Sequence, residues 1–269
     1  ISSIFDEHHS NSETEFLTDL KGTACYIQTS GSSGAPKIVS ISQEMVFAAS
    51  NTVEHWIKPQ KTDTWLLTLP LHHIGGLSVL FRSLIGQFRV YYKHGLRLES
   101  VGTLIESGKV QFVSLVPTQL KRLLDLGVRP HSEFKKILLG GGPSSVKLLQ
   151  NAVDAGFIVI NSFGMSETAA QFTGIEYKPG QKIITSEVGV CVSPNQLKVV
   201  PESDSDIKQQ TGVLWLKGPQ VLSIYPFSDE PSSFSEAWFC TGDYGRINNS
   251  GNLEIIMRRT DRIVSGGEN

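Results

Sequence analysis

VQFVSLVPTQLKRLLDLGVRPHSEFKKILLGGGPSSVKLLQNAVDAGFIVIN, residues 110–161, is the stretch on which the fold turns. Three apolar runs, over 110–115, 135–139 and 157–161, are short and rich in Val, Ile and Leu, as strands buried on both faces are. Between the first two, Pro117 stands at the favoured first position of a helix, where its missing N–H is one that the first turn leaves unpaired anyway. Between the second and third, Ser144 is placed to cap a helix that Gly156 ends. Strands alternating with helices at this spacing predict a largely parallel α/β sheet.

The pattern extends upstream. Ser42 can N-cap an amphipathic helix over 43–56, with Met45, Ala48, Ala49 and Val53 on one face. Residues 65–69 read as a buried strand, 77–85 as a helix, 88–92 as a strand and 98–107 as a helix. Beyond about residue 183 the texture changes. Short strand candidates at 196–200, 212–216 and 251–256 are separated by polar turns, and Asn-Asn-Ser-Gly-Asn at 248–252 is a hairpin signal. Residues 203–210 and 228–235 read as polar loops. The expected division is an α/β body over 1–182, a β-rich subdomain without helices over 183–256, and a closing segment over 257–269.

With 269 residues, 39% hydrophobic, 19% charged and a net charge of −2, the chain gives no electrostatic reason to expect nucleic acid or an anionic membrane. Cys25, Cys191 and Cys240 are widely separated and lack a C-x-x-C spacing, which suits a reducing cytoplasm and offers no disulfide framework. The most apolar helix candidate, between Gly76 and Gly86, is broken by Arg82 and too short to span a bilayer.

Thr29-Ser30-Gly31-Ser32-Ser33-Gly34-Ala35-Pro36-Lys37 lies between two apolar runs and reads as a loop joining two strands. Alternating hydroxyls and backbone N–H groups can wrap phosphate oxygens while the Lys37 ammonium neutralises charge. Pro36 before the lysine and Ile38 after it exclude a Walker A loop. A flexible Gly/Ser linker is the plainer alternative. Gly140-Gly141-Gly142-Pro143 ends a strand and opens a helix, where α/β proteins place ligands, although a tight turn explains it equally. It is not a dinucleotide fingerprint, because Ser145 stands where the third glycine would fall.

At the end of the next strand, Phe163 offers a face for a base, Ser166 a hydroxyl for a phosphate, and Glu167 a hard oxygen ligand suited to magnesium. Core packing is the plainer reading of Phe163. Glu167 is harder to explain structurally, because an unpaired buried carboxylate is costly. His72 and His73 sit in a glycine-flanked turn after Pro70, where histidine is more often structural than catalytic. Asp243 reads as a turn carboxylate, able to grip ribose hydroxyls or to make an Asx-turn. Residues 258–269 are basic and glycine-bearing, as an interdomain linker would be.

Together and in this order, these segments resemble the adenylate-forming enzymes: acyl-CoA synthetases, peptide-synthetase adenylation domains and luciferases. Within that group the chain looks most like the o-succinylbenzoate–CoA ligases of menaquinone biosynthesis. The finer likeness rests on LPLHHIGGLSVLFRS at 69–83, LLGGGP at 138–143, SFGMSETAAQ at 162–171 and RRTDRIVSGGEN at 258–269. The resemblance implies the large N-terminal domain of such an enzyme, a parallel α/β body plus a β-rich lobe.

It also implies roles. The loop from Thr29 to Lys37 would clamp the β- and γ-phosphates of ATP. Gly140, Gly141, Gly142 and Pro143 would sandwich adenine with Phe163, beside Gly164 and Met165. Ser166 would touch the α-phosphate, Glu167 would hold Mg2+, and Asp243 and Arg258 would bind the ribose. His73 would line the acyl pocket near the reacting carboxylate, with Arg82 and Gln171 as polar neighbours, although a buried structural arginine is the plainer reading of Arg82. Thr260 and Asp261 would fall at the hinge of a small C-terminal lid. Substrates would be ATP, a carboxylic acid and CoA, without nucleic acid or membrane, and with homodimer formation left open.

Some residues depart from the family pattern. Ser33 and Ser166 replace threonines and keep the hydroxyl, and Met257 takes a glycine position in the turn before the hinge. The lid and its adenylation-assisting lysine are expected beyond Asn269, so the chain alone should bind ATP yet be impaired in making thioester. The alternatives are a fatty- or aromatic-acid ligase, a catalytically silent adenylate-binding module, and an oxidoreductase using 138–143.

Overall fold

The apolar runs of residues 110–161 fold as strands whose alternate residues feed two separate cores. The structure, a computed structural model, describes residues 22–29, 37–223, 225 and 234–258. Among these, the chain runs β1 (Thr23–Thr29), β2 (Lys37–Ser42), α1 (Gln43–Trp56), β3 (Thr64–Leu66), α2 (Ile74–Gly86), β4 (Arg89–Tyr91) and α3 (Leu98–Glu106). It continues through β5 (Phe112–Leu115), α4 (Pro117–Asp125), β6 (Lys136–Leu139), α5 (Val146–Asp154) and β7 (Val159–Met165). A 3₁₀ turn, Ser166–Thr168, leads into β8 (Ala170–Tyr177), followed by β9 (Val190–Cys191).

The sheet order is β4-β3-β5-β6-β7-β8-β9. Its first five strands are parallel, and β8 and β9 add antiparallel. Val113, Leu115, Ile137, Leu139 and Val159 face a core completed by Val101 and Ile105 of α3, Leu120 of α4 and Leu149 of α5. Phe112, Leu138, Ile160 and Trp65 face the other way, onto Val53 of α1 and Val79 of α2. This period-two division of a continuous apolar run is what a doubly covered sheet requires. From β3 the chain builds β4 on one side and then β5, β6 and β7 on the other, which leaves a switch point between β3 and β5.

Local chemistry fixes the helix ends. Ser42 Oγ accepts from Met45 N at 3.1 Å, as expected of the α1 cap. Pro117 occupies the first turn of α4. The cap of α5 is Ser145 rather than Ser144, with Oγ accepting from Leu148 N at 3.2 Å. Ser144 instead is buried and offers its carbonyl to the Ser186 hydroxyl. Helix α2 begins at Ile74, three residues earlier than the reading of 77–85, and absorbs Gly75 and Gly76. A Cβ on Gly76 would fall 2.3 Å from the Pro70 carbonyl oxygen, so this glycine permits close approach rather than breaking the helix.

The second lobe comprises β10 (Gln196–Val200), α6 (Asp204–Gln209), β11 (Gly212–Lys217), β12 (Phe234–Ser235), β13 (Trp238–Ile247) and β14 (Leu253–Arg258). Its sheet runs β10-β11-β13-β12, with β14 also paired to β13 across the predicted hairpin. The expectation of a lobe without helices is corrected by α6. Ser203 caps it, accepting from Asp206 N at 3.2 Å, and its buried member is Asp206 while Ile207 is exposed, so no apolar stripe announces it.

Val188, Leu214 and Leu253 form the apolar contact that joins this lobe to Phe163 of the body. β1 and β2 pair as a separate antiparallel hairpin in which Thr29 opposes Lys37. Ile27, Val39 and Ile41 seat the hairpin on Met45 and Ala49 of α1 and on Leu222, Tyr225 and Phe239.

Candidate active site

The glycine run after β6, the end of β7 and the start of β8 meet at one place. Gly140 N donates to Leu115 O at 3.2 Å, and Gly141 has φ +74, a conformation that glycine adopts without strain. A Cβ on Gly140 would stand 2.9 Å from Ser162 Oγ and 3.9 Å from Gln171 Nε2. Gly164 is pressed against β8 so closely that a Cβ would lie 2.0 Å from Ala170 O. Gly142 and Pro143 complete the strand-to-helix turn before α5.

The backbone between β7 and β8 is held in an unusual path, with φ of +48 at Ala169 and +110 at Ala170. Such residues cost on the order of 1–3 kcal/mol each and persist only where neighbours over-determine them. Thr168, fully buried, supplies part of that constraint: its Oγ1 accepts from Met165 N at 3.0 Å and donates to Ala170 O at 2.6 Å. Gln220 supplies the rest. Its Nε2 donates to Thr168 O at 2.8 Å and to Gln171 O at 2.7 Å. Its Oε1 accepts from Thr52 Oγ1 at 2.7 Å and from Asn195 Nδ2 at 2.8 Å.

Glu167 lies in this braced turn, just after Ser166, and it is not an unpaired buried acid. Its carbonyl accepts from Leu222 N at 2.7 Å and its Oε1 from the Tyr225 hydroxyl at 2.9 Å. The Tyr225 ring is buried, edge-on to Phe234 and Phe239. Lys37 Nζ lies 5.3 Å from the centroid of that same ring. Lys37, which closes the candidate phosphate loop, and the candidate metal carboxylate therefore share one tyrosine. Thr29 Oγ1 donates to Lys37 O at 3.4 Å at the base of the loop. Ser30, Gly31, Ser32, Ser33 and Gly34 lie outside the described residues.

The acyl candidates are spread along α2. His73 is the exposed residue preceding the helix, its ring 4.2 Å from that of His72. Arg82, only 5% exposed, donates from Nη1 to Gln171 Oε1 at 3.0 Å, and its guanidinium sits 4.9 Å from the Trp65 ring centroid. Its Nε and Nη2 are buried without a hydrogen-bond partner among the described residues. Burial pulls the guanidinium down to about 9. Arg82 and Gln171, both expected beside the acyl pocket near His73, are hydrogen-bonded to each other, and Arg82 lies nine residues along α2 from His73.

Phe163 is half-buried on the Val188–Leu214–Leu253 core, and Met165 packs toward the β1–β2 hairpin. Asp243 is a correction: it lies in strand β13 rather than in a turn, 7% exposed and opposite Arg258 of β14. Gly242, at φ +73, bends the strand and lets Asp243 N donate to Thr241 Oγ1 at 3.0 Å, which is why Thr-Gly-Asp reads as a turn. Met257 likewise is a strand residue, opposite Tyr244. Thr260 and Asp261 lie outside the described residues. Tyr225, Gln220 and Leu222 escaped sequence reasoning. Only the polar Gln220 inside the otherwise apolar GPQVL segment gives any local signal.

Among the described residues no group of three or more His, Cys, Asp or Glu side chains is arranged to hold a metal, and no helix is long and apolar enough to cross a membrane.

A doubly covered parallel sheet, with glycines and polar groups gathered at its strand ends, defines an α/β protein of the ligand-binding class. More particularly, the chain belongs to the AMP-binding enzyme family, whose model matches residues 4–226. It is 35% identical over 255 residues to the 2-succinylbenzoate–CoA ligase of Listeria monocytogenes, covering 93% of this chain and 52% of that protein. To the ligase of the same name from Bacillus subtilis it is 33% identical over 274 residues, covering 100% of this chain and 56% of that protein.

Its architecture matches o-succinylbenzoate coenzyme A synthetase from Bacillus subtilis in complex with ATP and magnesium ion. The TM-score is 0.84 at 32% identity, over 93% of this chain and 53% of that one. The same enzyme in complex with its acyl-adenylate intermediate matches at a TM-score of 0.83, over 93% of this chain and 52% of that one. The chain thus spans about half the length of the curated relatives it matches.

Proposed function

We propose that this chain is the nucleotide- and acid-binding part of an AMP-forming acid–CoA ligase, and that its acid is o-succinylbenzoate. The reading is supported by the family, by the names of its relatives, and above all by Arg82. This buried cation, already hydrogen-bonded to Gln171, keeps two donors without a partner among the described residues. Arg82 lies nine residues along α2 from His73, about 13 Å along the axis at 1.5 Å per residue, before the side chain leans back toward the N-terminus. One carboxylate does not bridge that span. An aromatic acid with a second carboxylate at its far end can be held by Arg82 and Gln171 while its reacting carboxylate lies near His73.

In the first step the substrate carboxylate attacks the α-phosphorus of ATP in line, forming the acyl-adenylate and releasing pyrophosphate. The loop from Thr29 to Lys37 holds the leaving charge, and the Ser166 hydroxyl touches the α-phosphate. Gly140 to Pro143, Phe163, Gly164 and Met165 take the adenine, and Asp243 and Arg258 the ribose. Catalysis of this kind is positioning and charge neutralisation. Mg2+, when bound, neutralises phosphate charge. Glu167 fits it, because magnesium is usually held by one or two carboxylates plus substrate phosphates rather than by a protein cage. In the second step the CoA thiol attacks the acyl carbonyl and AMP leaves.

The domain division we propose is a body over 1–182, whose sheet takes its edge strand β9 from the following segment, a β-rich subdomain over 183–256 and a hinge segment over 257–269. A cytoplasmic location suits three cysteines that form no disulfide among the described residues, and a homodimer is compatible with this division. The test is ATP–pyrophosphate exchange over a panel of carboxylic acids, on this chain joined to the C-terminal part of the Bacillus subtilis relative. Faster exchange with o-succinylbenzoate than with any fatty or simple aromatic acid is expected. Preference for a long-chain fatty acid overturns the acid assignment, and no exchange with any acid overturns the ligase.

A further inference from the structure

We propose that Tyr225 is a positioning residue that aligns Glu167 for magnesium and seats Lys37 in the same geometry, so that the metal and the phosphate-loop cation engage the polyphosphate as one unit. The inference rests on the reading of Glu167 as the magnesium carboxylate. Three observations carry it. The Tyr225 hydroxyl donates to Glu167 Oε1 at 2.9 Å, which fixes the carboxylate rotamer and commits one oxygen to protein. Its ring carries Lys37 Nζ at 5.3 Å from the centroid, a distance at which the negative face of an aromatic attracts an ammonium. The ring itself has little freedom. It stands edge-on to Phe234 at 5.8 Å and to Phe239 at 6.4 Å, in the apolar cluster that includes Ile27 of β1 and Val39 of β2.

The backbone reinforces the link. Leu222 N, three residues before the tyrosine, donates to Glu167 O at 2.7 Å, and Gln220 clamps Thr168 O and Gln171 O. The segment from Gln220 to Tyr225 therefore braces the Glu167 turn at both main chain and side chain. The β1–β2 hairpin packs on the same tyrosine. A glutamate in a short turn otherwise samples several rotamers, and an outer-shell hydrogen bond that selects one typically changes metal affinity by 10–100-fold.

The experiment titrates ATP into this chain by calorimetry at a series of Mg2+ concentrations, without acid substrate, for the wild type, Tyr225→Phe, Glu167→Gln and the double variant. Tyr225→Phe removes one oxygen and keeps the ring under Lys37 and against its aromatic neighbours. About tenfold more Mg2+ is expected to be needed for half of the metal-dependent gain in ATP affinity, with metal-free AMP binding unchanged. In the Glu167→Gln background Tyr225→Phe should add no further shift, because both changes act on one carboxylate.

A hydroxyl that merely satisfies a buried acid would lower the melting temperature and leave the Mg2+ dependence at the wild-type value, which overturns the proposal. Additive shifts in the double variant also overturn it. An unchanged Mg2+ dependence in Glu167→Gln has a different signature: it removes the metal reading itself, and the inference with it.

Discussion

Arg82 and Gln171, 89 residues apart in the chain, meet in a 3.0 Å hydrogen bond between helix α2 and strand β8. The bond leaves Nε and Nη2 of the guanidinium buried and unpartnered among the described residues. A buried charge held this incompletely destabilises the unliganded protein, because desolvation is only partly offset by one amide and one indole face. Arg82→Met should therefore raise the melting temperature by about 2–4 °C, the equivalent of roughly 1 kcal/mol in a domain of this size. Gln171 is only half-buried and can turn to water. The same variant should lose about 10–100-fold in affinity for a dicarboxylate acyl-adenylate analogue, the scale of a lost charge-assisted contact. Thermal unfolding and calorimetry read the two effects. A variant that is less stable and binds normally makes Arg82 structural only.

Lys37→Ala should weaken ATP by about 10–100-fold and AMP by no more than about twofold. The ammonium follows the loop proposed to hold the β- and γ-phosphates, which AMP lacks. Equal losses for the two nucleotides in calorimetry contradict this placement.

Gln220 has no exposed surface and connects Thr52 and Asn195 to the carbonyls of Thr168 and Gln171. Gln220→Leu leaves several buried groups unpaired at once, at a cost of about 3 kcal/mol or more. A fall of about 6–12 °C in melting temperature is expected. A change within about 2 °C would show that water or local rearrangement replaces the network.

The relatives extend over about twice the length of this chain, and the resemblance assigns a lid lysine to the remainder. Removing one preorganised cation from the reacting phosphate costs about 10²–10³ in rate. Residues 1–269 alone should therefore form thioester at least about 10²–10³ more slowly than the same residues joined to the C-terminal part of the Bacillus subtilis relative, at saturating substrates. Comparable rates would show the lid to be dispensable and the assigned roles to be wrong.

The parallel body was legible because Val113 and Leu115, Ile137 and Leu139 sit in runs that are apolar on both faces, a pattern made by burial alone. Gly140 to Gly142 were legible as a ligand-side turn because their strand and helix flanks are strong. Arg82 stood out as a charge inside an apolar helix, although only the fold shows which amide it meets. Other features could not be read. Helix α6 has a polar buried residue and no apolar stripe, so periodicity is silent there. Asp243 imitates a turn because Gly242 bends a strand from within. Tyr225 and Gln220 act on groups some fifty residues away, two of them main-chain carbonyls, and long-range bonds of that kind leave no local pattern.

The strand-end site of this chain is proposed to take the adenylate of an aromatic dicarboxylate. Calorimetric titration of residues 1–269 with non-hydrolysable acyl-adenylate analogues, carrying o-succinylbenzoyl, benzoyl or a long-chain acyl group, tests it without requiring turnover. The o-succinylbenzoyl analogue is expected to bind at least about tenfold more tightly than either other, a difference of about 1.4 kcal/mol, and Arg82→Met to abolish the preference. Equal affinity for all three, or preference for the long-chain analogue, contradicts it.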